Sequence, residues 1–300
     1  MTDSRPFAER IAGAPISWGV CEVPGWGEML PPSRVLPEMT SVGLSATELG
    51  APGFLPADNA ALTSELSEYG FSLIGGFVPL VLHDRAVREE MLASAEETAK
   101  LFASCGGTYF VTAVVQDMDW SRPIPLDDEG MQVLGEGLRQ VDEICARHGL
   151  VQVLHPHVDT LVETADDVER ALKYTDVKWC LDTGHLAIGG TDPVAFARDH
   201  ADRVGHVHLK DVNLALAPKV LNRELGLMQA VQAGLFKTLG TGDVPLDQVI
   251  LTLEKAGYDG WYVLEQDCAL SDVPVPGDGP VLEVARSMDY LKERVVPFVA

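Results

Sequence analysis

No stretch of this 300-residue chain approaches the ~18 apolar residues needed to span a bilayer, and its opening, MTDSRPFAER, has charges and proline where a secretory leader has an apolar core. Basic residues are scarce. Twenty-two Lys and Arg against 45 Asp and Glu give a formal charge of −23, so the mean field repels phosphate backbones and anionic membrane surfaces. Neither nucleic acid nor a membrane is expected as a partner. The five cysteines, Cys21, Cys105, Cys145, Cys180 and Cys268, are odd in number, widely separated and contain no C-x-x-C, which points to reduced thiols in a cytosol. These absences predict a soluble cytoplasmic protein. No linker, charge block or low-complexity tract divides the chain, and 46% hydrophobic residues suffice for one large core, so a single domain over residues 1–300 is expected. Nothing signals an oligomeric state.

What is present is alternation. Short apolar runs at Ala14–Trp18, Ala46–Leu49, Phe71–Val78, Tyr109–Val115, Leu150–His155, Val177–Asp182, Val204–Leu209 and Trp261–Glu265 read as strands. Helical patterns lie between them, roughly at Ser33–Val42, Asp58–Tyr69, Ala86–Ser104, Glu129–Arg147, Thr164–Tyr174, Pro193–Asp202 and Leu246–Lys255, with Pro280–Glu293 closing the chain. Asp192-Pro193 reads as an N-cap with proline at the first helical position, and Thr164 with Asp167 as a capping box. Gly70, Gly149 and Gly257 each separate a helix from a strand, as left-handed C-terminal residues do. Eight strand-helix units in this length predict an α/β fold of the (β/α)8 TIM-barrel type. A long insertion at about residues 212–242, with a helical pattern around Leu225–Phe236, falls after the seventh strand, where a barrel carries its site, and is a candidate lid.

Four segments put metal-binding side chains where buried strands end: Val151–His157, Val177–His185, Val204–Asp211 and Trp261–Glu265. Their candidate ligands are His155 or His157, then Asp182, His208 and Glu265. In His206-Val207-His208-Leu209-Lys210 the alternation of a strand puts both histidines and the lysine on one face, which becomes the barrel interior if Val207 and Leu209 meet the helices. Each candidate also has a plainer reading. His206 can hydrogen-bond within the barrel, Asp182 can cap the turn that follows it, Glu265 can pair with Lys210, and the inward carboxylate Glu48 can form an ion pair. His83 is either a substrate contact or a surface histidine, and Trp18, Trp26 and Phe54 either wall a pocket or fill the core.

Ala14-Pro15-Ile16-Ser17-Trp18-Gly19, Thr47-Glu48-Leu49-Gly50, His155-Pro156-His157, Leu181-Asp182-Thr183-Gly184-His185, His206-Val207-His208-Leu209-Lys210-Asp211 and Leu264-Glu265 occur in that order. Together they resemble the xylose-isomerase-like barrel superfamily, and within it the inosose dehydratases. Sugar isomerases and epimerases of that superfamily usually end strand five on glutamate, whereas His155 stands there in this chain, as in inosose dehydratases. After the paired histidines this chain has Asp159-Thr160 where those enzymes usually have glycine-threonine. The resemblance implies that His155, Asp182, His208 and Glu265 bind a divalent ion, with manganese, cobalt and zinc all suited to the set.

The implied chemistry is loss of water from a keto-polyol such as 2-keto-myo-inositol through an enediolate, with sugar or keto-inositol isomerisation or epimerisation as the alternative. Lys210, His185 and Glu48 are the expected acid–base groups, Lys210 as a base whose pKa burial beside a cation lowers, and His157 is expected to protonate the departing hydroxyl. An endonuclease IV-like phosphodiesterase is disfavoured by the acidic balance, and a non-catalytic barrel by the presence of those acid–base groups.

Overall fold

In the computed structural model residues 5–299 are described; residues 1–4 of the opening segment and Ala300 lie outside the described residues. Eight parallel strands close into a barrel: β1 (Ile11–Gly13), β2 (Ala46–Glu48), β3 (Ser72–Leu80), β4 (Tyr109–Val114), β5 (Val151–Leu154), β6 (Lys178–Asp182), β7 (Val204–Leu209) and, after an inserted antiparallel ribbon of β8 (Asp211–Val212) and β9 (Phe236–Lys237), β10 (Tyr262–Leu264). β1 pairs with both β2 and β10, which completes the ring. Among the described residues no helix is long and apolar enough to cross a membrane.

Burial follows strand parity. Val207 and Leu209 belong to the layer between strands and helices, while small clusters such as Val111, Val153 and Cys180 pack inside the ring. His206 faces inward, its ring 4.4 Å from that of Tyr109. The expected caps form: Thr164 and Asp167 complete a capping box, Asp192 caps Pro193–Asp199, and Gly70, Gly149 and Gly257 take φ of 74°, 74° and 84°. The cysteines are free thiols.

Three local expectations are corrected. The first strand is Ile11–Gly13, not Ala14–Trp18, because Pro15 has no N–H for a ladder and opens a 3-10 turn over Pro15–Trp18. The turn expected at Thr183, Gly184 and His185 is the start of a short helix, Thr183–Gly189. The helical stretch expected around Leu225–Phe236 shrinks to Leu227–Gln232, bounded by Gly226 and a left-handed Gly234, and Phe236 goes into the ribbon. Arg223 ties this insertion to the loop after β5, reaching Glu163 at 2.9 and 2.7 Å and Asp159 at 3.3 Å.

Gly75 shows how tightly the ring is drawn. At φ 151° it lies against β4 so closely that a Cβ would sit 2.0 Å from the Tyr109 carbonyl oxygen. Gly75→Ala is expected to lower unfolding free energy by about 3 kcal/mol, through backbone strain and displacement of β3 from β4. Thermal unfolding checks it; an unchanged midpoint would contradict the packing described.

Candidate metal centre

Asp182 ends β6, and its two oxygens have different tasks. Oδ1 accepts the backbone N–H of His185 at 2.7 Å and so caps Thr183–Gly189. Oδ2 faces inward, 3.1 Å from His155 Nε2, 3.6 Å from Lys210 Nζ and 3.7 Å from His208 Nδ1. Capping, the plainer reading of this residue, therefore leaves one oxygen free.

Across the barrel, Glu48 Oε1 lies 2.9 Å from Nε2 of both His206 and His208. With Nε2 of His208 engaged there, Nδ1 is turned toward Glu265, 2.5 Å from its Oε2. That approach lacks hydrogen-bond geometry, and both atoms are buried without a hydrogen-bond partner, as is Nδ1 of His155. One donor atom from each of His155, Asp182, His208 and Glu265 lies within 4.8 Å of the others. His157 belongs to a neighbouring group with His185 and Asp267 instead.

Lys210 anchors the anionic side of the cluster. Its ammonium lies 2.5 Å from Asp267, 3.0 Å from Glu265 and 3.6 Å from Asp182. Burial alone lowers its pKa, but Asp267, Glu265 and Asp182 outweigh burial and hold it well above the ordinary lysine value. The expected base is thus an ammonium, because three carboxylates surround it. The ion pair of Glu265 with Lys210, its plainer reading, coexists with its place among the four donors.

The carboxylates divide by surroundings. Burial raises Glu48 and Asp182, yet the imidazoles around Glu48 and the Lys210 charge beside Asp182 bring both below the usual range. Burial also raises Glu265, which His208 and Lys210 pull down to about 2. At Asp267 burial prevails over Lys210, leaving it near 6. Cys180, beside His155 and His208, is pushed up to about 12 by burial and stays a thiol.

The two histidines on the other side have opposite tautomers. His157 Nδ1 lies 2.5 Å from the Val158 carbonyl oxygen, which can only accept, so Nδ1 carries the proton and Nε2 the lone pair. His185 Nδ1 accepts the Val158 N–H at 3.3 Å, which puts its proton on Nε2, 3.9 Å from Asp267 Oδ2. Burial, followed by His155, lowers the His157 pKa to about 3.

These groups floor a cavity of about 830 Å³ at the C-terminal mouth of the barrel, lined by Glu48, His155, His157, Lys210, Glu265 and Asp267 at its base. Trp26 lines it as well. Trp18 does not: it is buried, its indole N–H donating to Glu38 at 2.8 Å. Phe54 packs on the core, and His83 pairs with Gln116 at 3.2 Å outside the lining. Asp267, Phe77 and Trp120 escaped the sequence reading, although Asp267 shares the strand parity of Glu265 two positions earlier. Asp211 proves to be scaffold, accepting the N–H groups of Gly240, Gly242 and Val244 at 2.8, 2.9 and 3.0 Å.

A closed parallel barrel with a buried cluster of histidines, carboxylates and a lysine at its mouth defines an enzyme of the xylose isomerase-like class. The family profile described as xylose isomerase-like TIM barrel matches residues 38–294, and the chain belongs to that family. Within it stand curated relatives such as the inosose dehydratase of Geobacillus kaustophilus (strain HTA426), 33% identical over 87% of this chain and 88% of the relative. The rhizopine catabolism protein MocC of Rhizobium meliloti is 34% identical over 86% and 81%. Among solved structures, the probable 3-DHS dehydratase AsbF from Bacillus anthracis superposes with a TM-score of 0.70 at 18% identity, covering 95% of this chain and 99% of that one. An L-ribulose 3-epimerase gives 0.69 at 16% identity, over 94% and 93%, which shows the shared fold.

Proposed function

We propose that this chain is a metal-dependent hydro-lyase that removes water from a keto-polyol, 2-keto-myo-inositol or a near analogue, through an enediolate. The observation that carries this reading is the convergence of His155, Asp182, His208 and Glu265 beside the Lys210 ammonium, at the base of a cavity able to hold a polyol ring. The relatives named inosose dehydratase support the choice of elimination.

The donor set fits a divalent cation. Three buried carboxylates, Asp182, Glu265 and Asp267, face one ammonium, and an uncompensated buried anion is costly. His208 Nδ1 and Glu265 Oε2, neither of them in a hydrogen bond, press on one another where a shared cation relieves the crowding. Two imidazoles with two carboxylates suit manganese, cobalt or zinc. When bound, the ion supplies Lewis acidity toward the ketone oxygen and so acidifies the adjacent C–H.

The chain's own groups then divide the proton work. Lys210 brings a fixed positive charge and N–H donors to the oxygen that gains charge. His157 Nε2, a lone pair with no hydrogen-bond partner among the described residues, takes the α-proton and returns it to the β-hydroxyl as that C–O bond breaks, so water leaves. His185, its ring centroid 3.9 Å from that of His157, holds the second imidazole in place. Glu48 acts by orienting His206 and His208. Glu48→Gln is therefore expected to weaken metal binding by about 10- to 100-fold with the fold retained, read by calorimetric titration with manganese; unchanged affinity would remove Glu48 from this role.

Proton NMR of 2-keto-myo-inositol in deuterated water tests the whole reading. Manganese-dependent loss of substrate with formation of an enol or diketone product is expected. Deuterium wash-in at carbon without loss of water would transfer the chain to the isomerases, and no reaction with any keto-inositol would end the proposal.

A further inference from the structure

The cavity has two zones. Its base is polar, and its apolar walls of Trp26, Leu55, Phe77, Trp120, Leu227 and Met228 begin at that base, where the Phe77 ring lies 5.6 Å from that of His155 and the Trp120 ring 6.0 Å from that of His157. A bare polyol carries hydroxyls around its whole rim and would leave most of 830 Å³ facing carbon, since cavities of roughly 300–1,000 Å³ hold drug-sized ligands.

The aromatic walls are specifically presented. The Phe77 and Trp120 rings lie nearly parallel, 12° apart, with centroids at 6.2 Å. Trp120 holds this position from a left-handed backbone at φ 57°, a conformation bulky side chains rarely adopt. Its loop is pinned by Asp117, which accepts N–H groups of Asp119 and Ser121 at 3.1 and 3.0 Å, and by Gln116, which accepts that of Ile124 at 2.9 Å. Trp26 donates its indole N–H to the Cys268 carbonyl at 2.8 Å, so that polar atom is already satisfied. A hydrophobic-core explanation fails for Trp120, which is only partly buried, does not pack on the core and lines the cavity.

We propose that the outer zone is a subsite for an aromatic substituent carried by the keto-polyol, on a carbon remote from the ketone. The inference rests on the keto-polyol reading of the base. With the ketone at the donor cluster, the ring carbon opposite it points toward the mouth, and a planar apolar group there meets the Trp120 face and the Leu227–Met228 wall.

The test uses two unreactive probes, the 5-O-benzyl and 5-O-methyl ethers of myo-inositol, titrated calorimetrically into the manganese-loaded protein. The benzyl ether is expected to bind about tenfold more tightly, or better. Trp120→Ala should bring that ratio to within about twofold, Trp120→Phe should keep most of it, and Met228→Glu should reduce it through a charge in the wall. A ratio near one in the native protein, or one indifferent to both Trp120→Ala and Met228→Glu, overturns the subsite. Turnover of 2-keto-myo-inositol is measured separately: if it proceeds while neither ether binds, the subsite alone is wrong. If nothing binds and nothing turns over, the keto-polyol reading falls and the subsite with it.

Discussion

Asp182→Asn is expected to lose at least about 10³-fold in kcat/KM together with most of the bound metal. The substitution separates the two tasks of this side chain. Asparagine keeps an oxygen that can accept the His185 N–H and cap Thr183–Gly189, so the local structure survives. What disappears is the negative charge on the oxygen facing His155, His208 and Lys210. Metal-to-protein stoichiometry by plasma mass spectrometry, with thermal unfolding as the control, reads both effects. Chelation of the native protein should reproduce the loss, and added manganese should restore the native protein but not the variant. Full metal content with native turnover in Asp182→Asn would show that the ion is held elsewhere.

Lys210→Met separates chemistry from metal binding in the opposite sense. Without the ammonium, Asp267, Glu265 and Asp182 face one another without a positive charge, so their attraction for a divalent cation rises. The variant should hold its ion at least as tightly as the native protein. Exchange of the α-proton should nonetheless fall by roughly 10²- to 10⁴-fold, the range of a positioned proton-handling or charge-stabilising group. Wash-in of solvent deuterium measured alongside manganese affinity tests the pair of outcomes. Retained exchange would strike Lys210 from the mechanism, and lost metal would make its role structural.

The parts of this molecule that were legible in the sequence obey short-range rules. Strand periodicity after β1, the capping box at Thr164 and the left-handed glycines at 70, 149 and 257 depend on neighbours within a few residues, and these appear as expected. So does the inward face of His206, His208 and Lys210, which follows from alternation within β7. What could not be read depends on partners far along the chain. The charge state of Lys210 is decided by Asp267, 57 residues away, and the orientation of His208 by Glu48, 160 residues away. The tautomers of His157 and His185 are fixed by the backbone of Val158, which no side-chain pattern reveals. Pro15 is a local signal against a strand, set within an apolar run that favours one.

The donor groups come from β5, β6, β7 and β10, which stand side by side in the ring, whereas Trp26, Leu55, Phe77 and Trp120 come from β3 and from the loops after β1, β2 and β4, on the opposite arc. Apart from Glu48 on β2 and the Leu227–Met228 wall after β7, the proposed reactive groups and the proposed selective ones thus stand on separate halves of one rim. Loops on the second arc can lengthen, shorten or exchange residues over generations while the first arc keeps its chemistry, and a laboratory library confined to those loops would vary what is accepted without disarming what is done to it.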